Sequence, residues 1–526
     1  MTFDILVKDG TIIDGTGKPR FQGDIGISDE RIKAIGTPNL AGAVGRKTIS
    51  AFGRFVAPGF IDITSHADKN WALFSNPQQD YLLTQGVTSI LVGNCGTSLA
   101  PLPARQAVES FKKWLLVPGI TVNWLAVGEF LAELAKRPLG VNVGTLIGHG
   151  TVRRGLTRGE SRPLTEEELP QFSQVIERGI REGAFGLSTG LVYSHEAPAS
   201  PEELSELAKA IAAADGVYKT HLRHEGFNLA PAVNETVEIV RTSKARVVIS
   251  HLKAIGKQAW PVFGKAIAMI ERASGDGLAF YFDIFPYQRT GSFLYLLLPP
   301  WARAGGFAEI LKRLRDPATR ATIVTELQRL TIHYDRYIVA TSATPSTNGK
   351  TIQEIAARTG ETPEDTILEL LLANDCRVTI FGKAISGKNL ATGISHPLGM
   401  IASNGSGISA ELRRTEKLVH PRSSGAATHF LHRFIRERGL VSWEEGIRKL
   451  TSFPAGVIGF RDRGRIQEKS YADLVIFDPE EVHDGSTYRN PFVHSTGIHH
   501  VIVNGKLAIE NGQLTGIAAG QVLKKS

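Results

Sequence analysis

Apolar runs and amphipathic stretches alternate along the chain from about residue 58 to residue 459. Short apolar runs, which predict buried strands, lie at residues 89–93, 143–148, 185–188, 217–220, 246–250 and 278–283. The intervening residues 165–182 and 201–214 have helical periodicity, and Ser200 followed by Pro201 is a favourable helix start. This alternation predicts an α/β fold with a parallel sheet closed into a TIM-like (β/α)8 barrel.

The two ends of the chain have a different pattern. Residues 1–57 and 460–526 contain short β-branched runs separated by Gly and Asp turns, so we expect them to pair into one small β-sandwich. Residues 289–347 break the rhythm of the barrel with Pro299-Pro300-Trp301 and a helical stretch near residues 307–314. They predict an inserted subdomain within the barrel range 58–459.

Composition and charge exclude several classes of function. The net charge is +8, but Lys and Arg are scattered and no zinc-finger spacing occurs, so no nucleic-acid partner is expected. No stretch has the length of a membrane span and the first residues do not resemble a signal peptide. The two cysteines, Cys95 and Cys376, are far apart in sequence, which fits a reducing compartment. We expect a cytoplasmic protein with a small-molecule substrate, and a homo-oligomer remains open.

Polar residues follow several of the predicted strands. The run at residues 60–63 is followed by Thr64, His66 and Asp68. His221 and His251 each come directly after an apolar run, which places them at the C-terminal mouth of a parallel barrel, and Cys95 lies in the loop after another. One thiolate and two imidazoles suit Zn²⁺ and leave a position for water or substrate. Each residue taken alone is also typical of a buried scaffold position.

The strings around these residues resemble a known family. "APGFID" precedes His66, "GNCGTSLAP" contains Cys95, "THLRHEG" contains His221 and "SHLK" begins with His251. With these strings the chain resembles the N-acyl-D-amino-acid deacylase (D-aminoacylase) branch of the amidohydrolase superfamily, almost from end to end. The resemblance implies that Cys95, His221 and His251 hold zinc, and that the inserted subdomain covers the site.

The sequence departs from the family at its second, weaker metal position. The first histidine of the family's His-x-His pair is Thr64 here, and the family's aspartate, which is both ligand and general base, is Asn404. Hydroxyl and amide groups bind Zn²⁺ weakly, so we expect one Zn²⁺ per chain. Asn404 cannot take a proton from the attacking water, although it can orient it. His66 is then the best candidate for proton transfer, with Asp68 orienting it.

Further residues are candidates for the substrate pocket. Lys253 shares a strand face with His251, where it could pair with a substrate carboxylate. The resemblance implies that Tyr287 polarises the scissile carbonyl. It also suggests pocket roles for Tyr193, Arg223 and His149. Scaffold hydrogen bonding is the alternative for each of them.

The sequence thus predicts a mononuclear zinc hydrolase acting on a small N-acyl amino acid or related amide. Because the usual base is replaced by Asn404, two alternatives stay open. One is a zinc enzyme of different chemistry, such as a C–C bond hydrolase, a lyase or an isomerase of a carbonyl compound. The other is a catalytically silent binding homologue. Substrate identity and stereochemistry are not determined by these residues.

Overall fold

A parallel β/α barrel forms the centre of the computed structural model, which describes residues 1–103, 122–329 and 332–525. The barrel has eight strand positions, of which the third is split at Leu146 into two short pieces. In chain order, and numbered first to eighth below, the strands are Phe60–Asp62, Val87–Val92, Asn142–Thr145 with Ile147–Gly148, Gly186–Gly190, Val217–His221, Arg246–Ile249, Phe280–Ile284 and Gly399–Ile401. The predicted fold class is confirmed.

The barrel closes between its eighth and first strands. The Ser403 amide donates to Asp62 Oδ1 at 2.9 Å, and the His66 amide donates to the Gly405 carbonyl at 2.8 Å. Inside, Ile61, Leu91 and other alternate strand residues pack into one apolar core. Because all strands are parallel, the residues at their C-terminal ends surround a single mouth.

Helices surround the barrel. The start predicted at Ser200 is confirmed, since its hydroxyl accepts from the Glu203 amide at 3.2 Å and Pro201 begins the helix. The helices outside the inserted region are Lys69–Trp71, Ala72–Ser75, Asp80–Leu83, Val127–Ala135, His149–Leu156, Glu168–Arg181, Pro201–Ala213, Leu229–Ser243, Val262–Gly275, Gly387–Ser395, Ala410–Arg413, Arg422–His429, Phe430–Arg436, Trp443–Leu450 and Ser452–Ile458. No helix in the described ranges is both long and apolar enough to cross a membrane.

The two chain ends join in one nine-stranded sheet beside the barrel. Strand Leu474–Phe477 from the C-terminal end pairs antiparallel with Phe55–Pro58 from the N-terminal end, which links the two halves. Apolar residues from both ends share one core. The other strands of this sheet are Thr2–Ile12, Phe21–Ser28, Arg31–Gly36, Val44–Ser50, Ile498–Val503, Lys506–Glu510 and Gln513–Leu514.

The inserted segment is longer than its predicted range of 289–347. A separate antiparallel sheet is formed by strands Arg289–Phe293, Tyr337–Thr341 and Thr379–Lys383. We call residues 289–383 the cover segment, after the position that the family resemblance implies for the insertion. It has an apolar core of its own, distinct from that of the barrel. Its helices are Leu294–Leu297, Pro300–Arg303, Phe307–Arg315, Pro317–Arg329, Tyr334–Arg336, Pro345–Thr347, Ile352–Thr359 and Pro363–Ala373.

Some of the predicted ranges extend beyond the described residues. Residues 104–121 of the predicted barrel, 330–331 of the predicted insertion and 526 of the terminal β unit lie outside them. Both cysteines, Cys95 and Cys376, are buried and free.

Candidate metal centre and active site

A cysteine and two histidines meet at the mouth of the barrel. Cys95 lies in the loop after the second strand, His221 ends the fifth strand and His251 follows the sixth. One ligand atom from each residue lies within 4.8 Å of the others, and all three side chains are buried. Cys95 Sγ is 3.3 Å from His251 Nε2. The structure therefore brings together the three residues that the sequence predicts as ligands.

The chemistry of this cluster fits a zinc ion. The His221 Nδ1 atom is buried and has no hydrogen-bond partner among the described residues, so it offers a free lone pair. Burial works to raise the pKa of the Cys95 thiol, but His251 and His66 outweigh it and hold that pKa well below its usual range. A thiolate with two imidazoles matches the three-ligand sets of catalytic zinc sites.

Glu225 orients both histidines, and the sequence analysis did not single it out. Its carboxylate lies 3.3 Å from His221 Nε2 and 3.1 Å from His251 Nδ1. Burial works to raise the pKa of Glu225, but His221 and Lys253 hold it well below its usual range. A carboxylate behind a ligating imidazole fixes the ring and increases its basicity. Its place in the "THLRHEG" string, four residues after His221, was the available signal.

The backbone is strained at the same place. Cys95, His251 and Asn404 have φ values of 54°, 40° and 49°, in the left-handed region that costs free energy for residues other than glycine. Such strain persists only where the surroundings impose it, and it is common at functional sites. Three residues with strained backbones surround this one cluster, which supports the interpretation of the cluster as a functional site.

His66 and Asn404 are adjacent, but Asp68 does not orient His66. His66 Nε2 lies 3.0 Å from Asn404 Oδ1 and 3.7 Å from Cys95 Sγ. His66 Nδ1 has no hydrogen-bond partner in the described part of the chain. The Asp68 carboxylate instead accepts from the Gly93 amide at 3.0 Å. Asp68 thus fixes the loop that carries Cys95. The prediction that it orients His66 is corrected, because its carboxylate accepts from Gly93 instead.

A buried ion pair stands behind Thr64. Lys219 and Asp283 are both fully buried, and their charged atoms are 3.0 Å apart. The Lys219 ammonium also donates to Thr64 Oγ1 at 2.6 Å and to the Ile63 carbonyl at 2.8 Å. The other Asp283 oxygen accepts from the His251 amide at 2.7 Å. Lys219 escaped notice because it lies within an apolar run that predicts a buried strand.

Tyr287 lies at the edge of the site beside a second aromatic ring. Its hydroxyl donates to Asp484 Oδ2 at 3.4 Å, and its ring stacks on His429 with centroids 4.3 Å apart. Burial, together with the charge of Asp484, raises the pKa of Tyr287 well above its usual value, so the hydroxyl keeps its proton. A cavity of about 460 Å³ borders Tyr287, His429 and Asp484, and its lining does not include the three clustered ligands.

Arg422 is a buried cation near the site, and the sequence analysis did not identify it. It is buried, its guanidinium lies 4.6 Å from the centre of the Phe285 ring, and its Nε and Nη1 atoms have no partner among the described residues. Burial lowers the pKa of Arg422 to about 10, although Tyr488 and Cys95 oppose this shift. A buried cation with free donors is typical of an anion-binding position. Its signal was the His420-Pro-Arg-Ser string.

The Lys253 ammonium is already paired with a carboxylate. It contacts Glu225 and His251 Nδ1, and donates to the His251 carbonyl at 3.1 Å. Tyr193, in contrast, is half-buried and its ring lies 5.4 Å from that of His221 and 6.1 Å from that of Phe293 in the cover segment. The geometry therefore keeps Tyr193 as a pocket candidate and assigns Lys253 to positioning Glu225 and His251.

Two predicted pocket residues belong to the scaffold. His149 is fully buried, with Nδ1 2.7 Å from Glu196 and Nε2 2.9 Å from Glu203, so neither nitrogen is left for a substrate. The Arg223 guanidinium is bound to Glu235 and to the carbonyls of Ala197 and Ala199. The substrate contacts predicted for His149 and Arg223 are corrected for this reason.

Comparison with known proteins gives consistent matches. The Amidohydrolase family model matches residues 417–509. A D-aminoacylase from Alcaligenes xylosoxydans xylosoxydans is 31% identical, and the match covers 100% of this chain and 98% of that protein.

Solved structures agree along the whole chain. An N-acyl-D-glutamate deacylase from Bordetella bronchiseptica, complexed with zinc and a phosphonate mimic of the tetrahedral intermediate, has a TM-score of 0.84 at 30% identity and covers 100% of both chains. A D-aminoacylase solved for the role of its binuclear metal centre has a TM-score of 0.83 at 30% identity, covering 99% of this chain and 100% of that one.

Proposed function

This chain belongs to the D-aminoacylase branch of the amidohydrolases, metal-dependent hydrolases of C–N amide bonds, and from that premise we propose that it hydrolyses N-acyl-D-amino acids with one zinc ion. The observation that carries the proposal is the convergence of Cys95, His221 and His251 at the mouth of the barrel. These three residues would hold the ion. When bound, Zn²⁺ supplies Lewis acidity that polarises the substrate carbonyl and makes water more acidic.

Arg422 would bind the carboxylate of the substrate. Its Nε and Nη1 nitrogens are buried beside the site without a partner among the described residues, and a carboxylate can accept a charge-assisted hydrogen bond from either of them. Pairing with an anion also removes the free-energy cost of an isolated buried charge. The Lys253 ammonium is already paired with the Glu225 carboxylate, so Arg422 takes the role that the sequence analysis gave to Lys253.

His66 would move the proton. Its Nε2 is the ring nitrogen that faces the cluster, 3.0 Å from Asn404 Oδ1 and 3.7 Å from Cys95 Sγ. Burial lowers the pKa of His66 to about 4, so the ring is neutral at pH 7. Asn404 contributes by holding the ring. Tyr287 would donate to the substrate carbonyl once its hydroxyl turns away from Asp484 Oδ2, to which it donates at 3.4 Å.

Lys219 supports a count of one zinc at the mouth of the barrel. Its ammonium fills the space beside Thr64 and is fixed there by Asp283. A divalent ion placed at the same position would meet a unit positive charge in a buried environment, where repulsion is strong. If this proposal holds, the barrel mouth of this chain holds one metal ion, whereas the D-aminoacylase with a binuclear centre holds two.

Asn404 favours a second candidate function. A zinc site without a carboxylate base suits proton movement next to an enolate, as in a lyase, an isomerase or a C–C bond hydrolase. In that case the same cluster and His66 would act on a carbonyl compound that carries no amide. A binding protein without turnover is the remaining alternative.

Hydrolysis of matched substrates tests the proposal. We expect the zinc-loaded protein to release free amino acid from N-acetyl-D-amino acids and not from the L-enantiomers. We expect His66→Ala to keep its zinc and to lose on the order of 100-fold in kcat, the usual contribution of acid–base catalysis. If the D-substrates are cleaved only after Thr64→His and Asn404→Asp are introduced together, the natural protein is not a deacylase.

A further inference from the structure

Two histidines and a carboxylate form a second cluster, away from the barrel mouth. His432 lies on the π-helical segment Phe430–Arg436, and His483 and Asp484 lie in the loop between strands Leu474–Phe477 and Ile498–Val503. The Nδ1 atoms of the two histidines are 2.8 Å apart. Asp484 Oδ1 is 3.7 Å from His432 Nδ1 and 3.9 Å from His483 Nδ1. Three ligand atoms thus converge on one point at the surface.

The ligand atoms of His432 and Asp484 are oriented by neighbouring side chains. Glu437 Oε1 lies 2.9 Å from His432 Nε2, so that nitrogen carries the proton and the Nδ1 lone pair points into the cluster. The other Asp484 oxygen, Oδ2, lies 3.0 Å from His429 Nδ1, which leaves Oδ1 for the cluster. Carboxylate partners of this kind are typical of metal-binding histidines.

We propose that His432, His483 and Asp484 form a second divalent transition-metal site, separate from the Cys95 cluster. Two imidazoles and one carboxylate suit Zn²⁺, Co²⁺ or Ni²⁺ and are a poor set for Mg²⁺ or Ca²⁺, which prefer oxygen ligands alone. The two Nδ1 atoms, 2.8 Å apart, are also close enough for both to bind one cation. His483 is half exposed, so water completes the coordination.

The site binds metal more weakly than the Cys95 cluster does. It has no thiolate. Among the described residues, no side chain orients His483 in the way that Glu437 orients His432. The ion would also share Asp484 with the active site, because Asp484 Oδ2 accepts from the Tyr287 hydroxyl at 3.4 Å. Its occupancy depends only on the second cluster, and so does not rest on the proposed hydrolysis.

Metal binding to untagged protein tests this site without measuring activity. In the Cys95→Ala variant, which lacks the thiolate of the first cluster, equilibrium dialysis should show one Zn²⁺ bound per chain. Adding His483→Ala should weaken that binding by at least about tenfold. His494→Ala is the matched control, because His494 is also exposed but pairs with Asp80 at 3.3 Å. Equal zinc affinity with and without His483 would overturn the proposal.

Cobalt spectroscopy covers the case in which Cys95→Ala does not fold. When apo wild-type protein is titrated with Co²⁺, the first equivalent should give a thiolate-to-cobalt charge-transfer band and the second should add only d–d absorption. His483→Ala should retain the first signal and lose the second. A second signal that survives His483→Ala, or no second signal in the wild type, would contradict the site.

Discussion

At the residue scale, Glu225 contacts three residues of the predicted zinc site. Its carboxylate contacts His221, His251 and Lys253, so it fixes both imidazoles at once. We expect Glu225→Gln to lower the affinity for zinc by about 10- to 100-fold, the range typical of second-layer carboxylates. Competition with a chromophoric chelator measures this. Glu238→Gln, at an exposed helix position, is the control, and equal losses in both variants would contradict the assigned role.

Burial of the Asp68 carboxylate should make the free energy of unfolding depend on pH. Burial raises the pKa of Asp68 from 3.8 to about 6, and its Oδ1 has no partner among the described residues. Because the folded-state pKa is the higher one, the carboxylate destabilises the fold above about pH 6, and this cost disappears as the pH falls towards 4. Asp68→Asn removes the charge and should stabilise the metal-free protein at pH 8 by on the order of 3 kcal/mol.

Thermal unfolding of the two metal-free proteins checks this prediction. The melting temperature of Asp68→Asn should exceed that of the wild type at pH 8, and the gap should narrow at pH 5. A gap that is the same at both pH values would show that the charge of Asp68 is not responsible.

The sequence predicted the meeting of Cys95, His221 and His251 better than the contacts of the groups around them. Cys95, His221 and His251 follow apolar runs, and a parallel barrel brings the ends of its strands together, so their meeting could be anticipated. The partners of Lys253, His149 and Arg223 come from other elements and depend on packing. A pattern along the chain does not contain those distances.

At the element scale, the cover segment has its own core. Leu371 lies on helix Pro363–Ala373 and is fully buried within that core. We expect Leu371→Ala to destabilise the segment locally by about 2–5 kcal/mol, to raise KM and to leave the zinc content unchanged. Limited proteolysis should cut within residues 289–383. Gln353→Ala, exposed on helix Ile352–Thr359, is the control, and loss of zinc in Leu371→Ala would contradict the independence of the two units.

The cover segment extends further along the chain than the sequence predicted. The predicted insertion ended at 347, before helices Ile352–Thr359 and Pro363–Ala373. The pairing of Thr379–Lys383 with Arg289–Phe293, and the burial of Leu371 in the segment's core, show that these helices belong to the segment. Amphipathic periodicity reports that a helix has a buried face, but not which core that face contacts.

At the scale of the whole molecule, Asp473 joins the terminal sheet to the barrel. Its carboxylate pairs with buried Arg463, accepts from the Asn504 amide at 2.8 Å and from Asn142 Nδ2 of the third barrel strand at 3.2 Å. Removing one partner of a buried pair leaves an uncompensated charge, so Asp473→Ala should cost about 3–5 kcal/mol.

An exposed pair provides the control for this prediction. Asp462 pairs with Arg31 at 3.1 Å and is largely exposed, so Asp462→Ala should cost less than about 1 kcal/mol. Chemical denaturation of both variants measures the difference. Similar losses in the two variants would mean that Asp473 does not hold the sheet against the barrel.

The central claim is that one zinc ion on Cys95, His221 and His251 makes this chain a deacylase of N-acyl-D-amino acids. Its most direct test is a titration of the metal-free protein with Zn²⁺, in which hydrolysis of an N-acetyl-D-amino acid and bound zinc are followed together. We predict that activity rises linearly and saturates at one equivalent, and that Cys95→Ala stays inactive throughout. Full activity without zinc, saturation only at two equivalents, or no hydrolysis at any zinc level would contradict it.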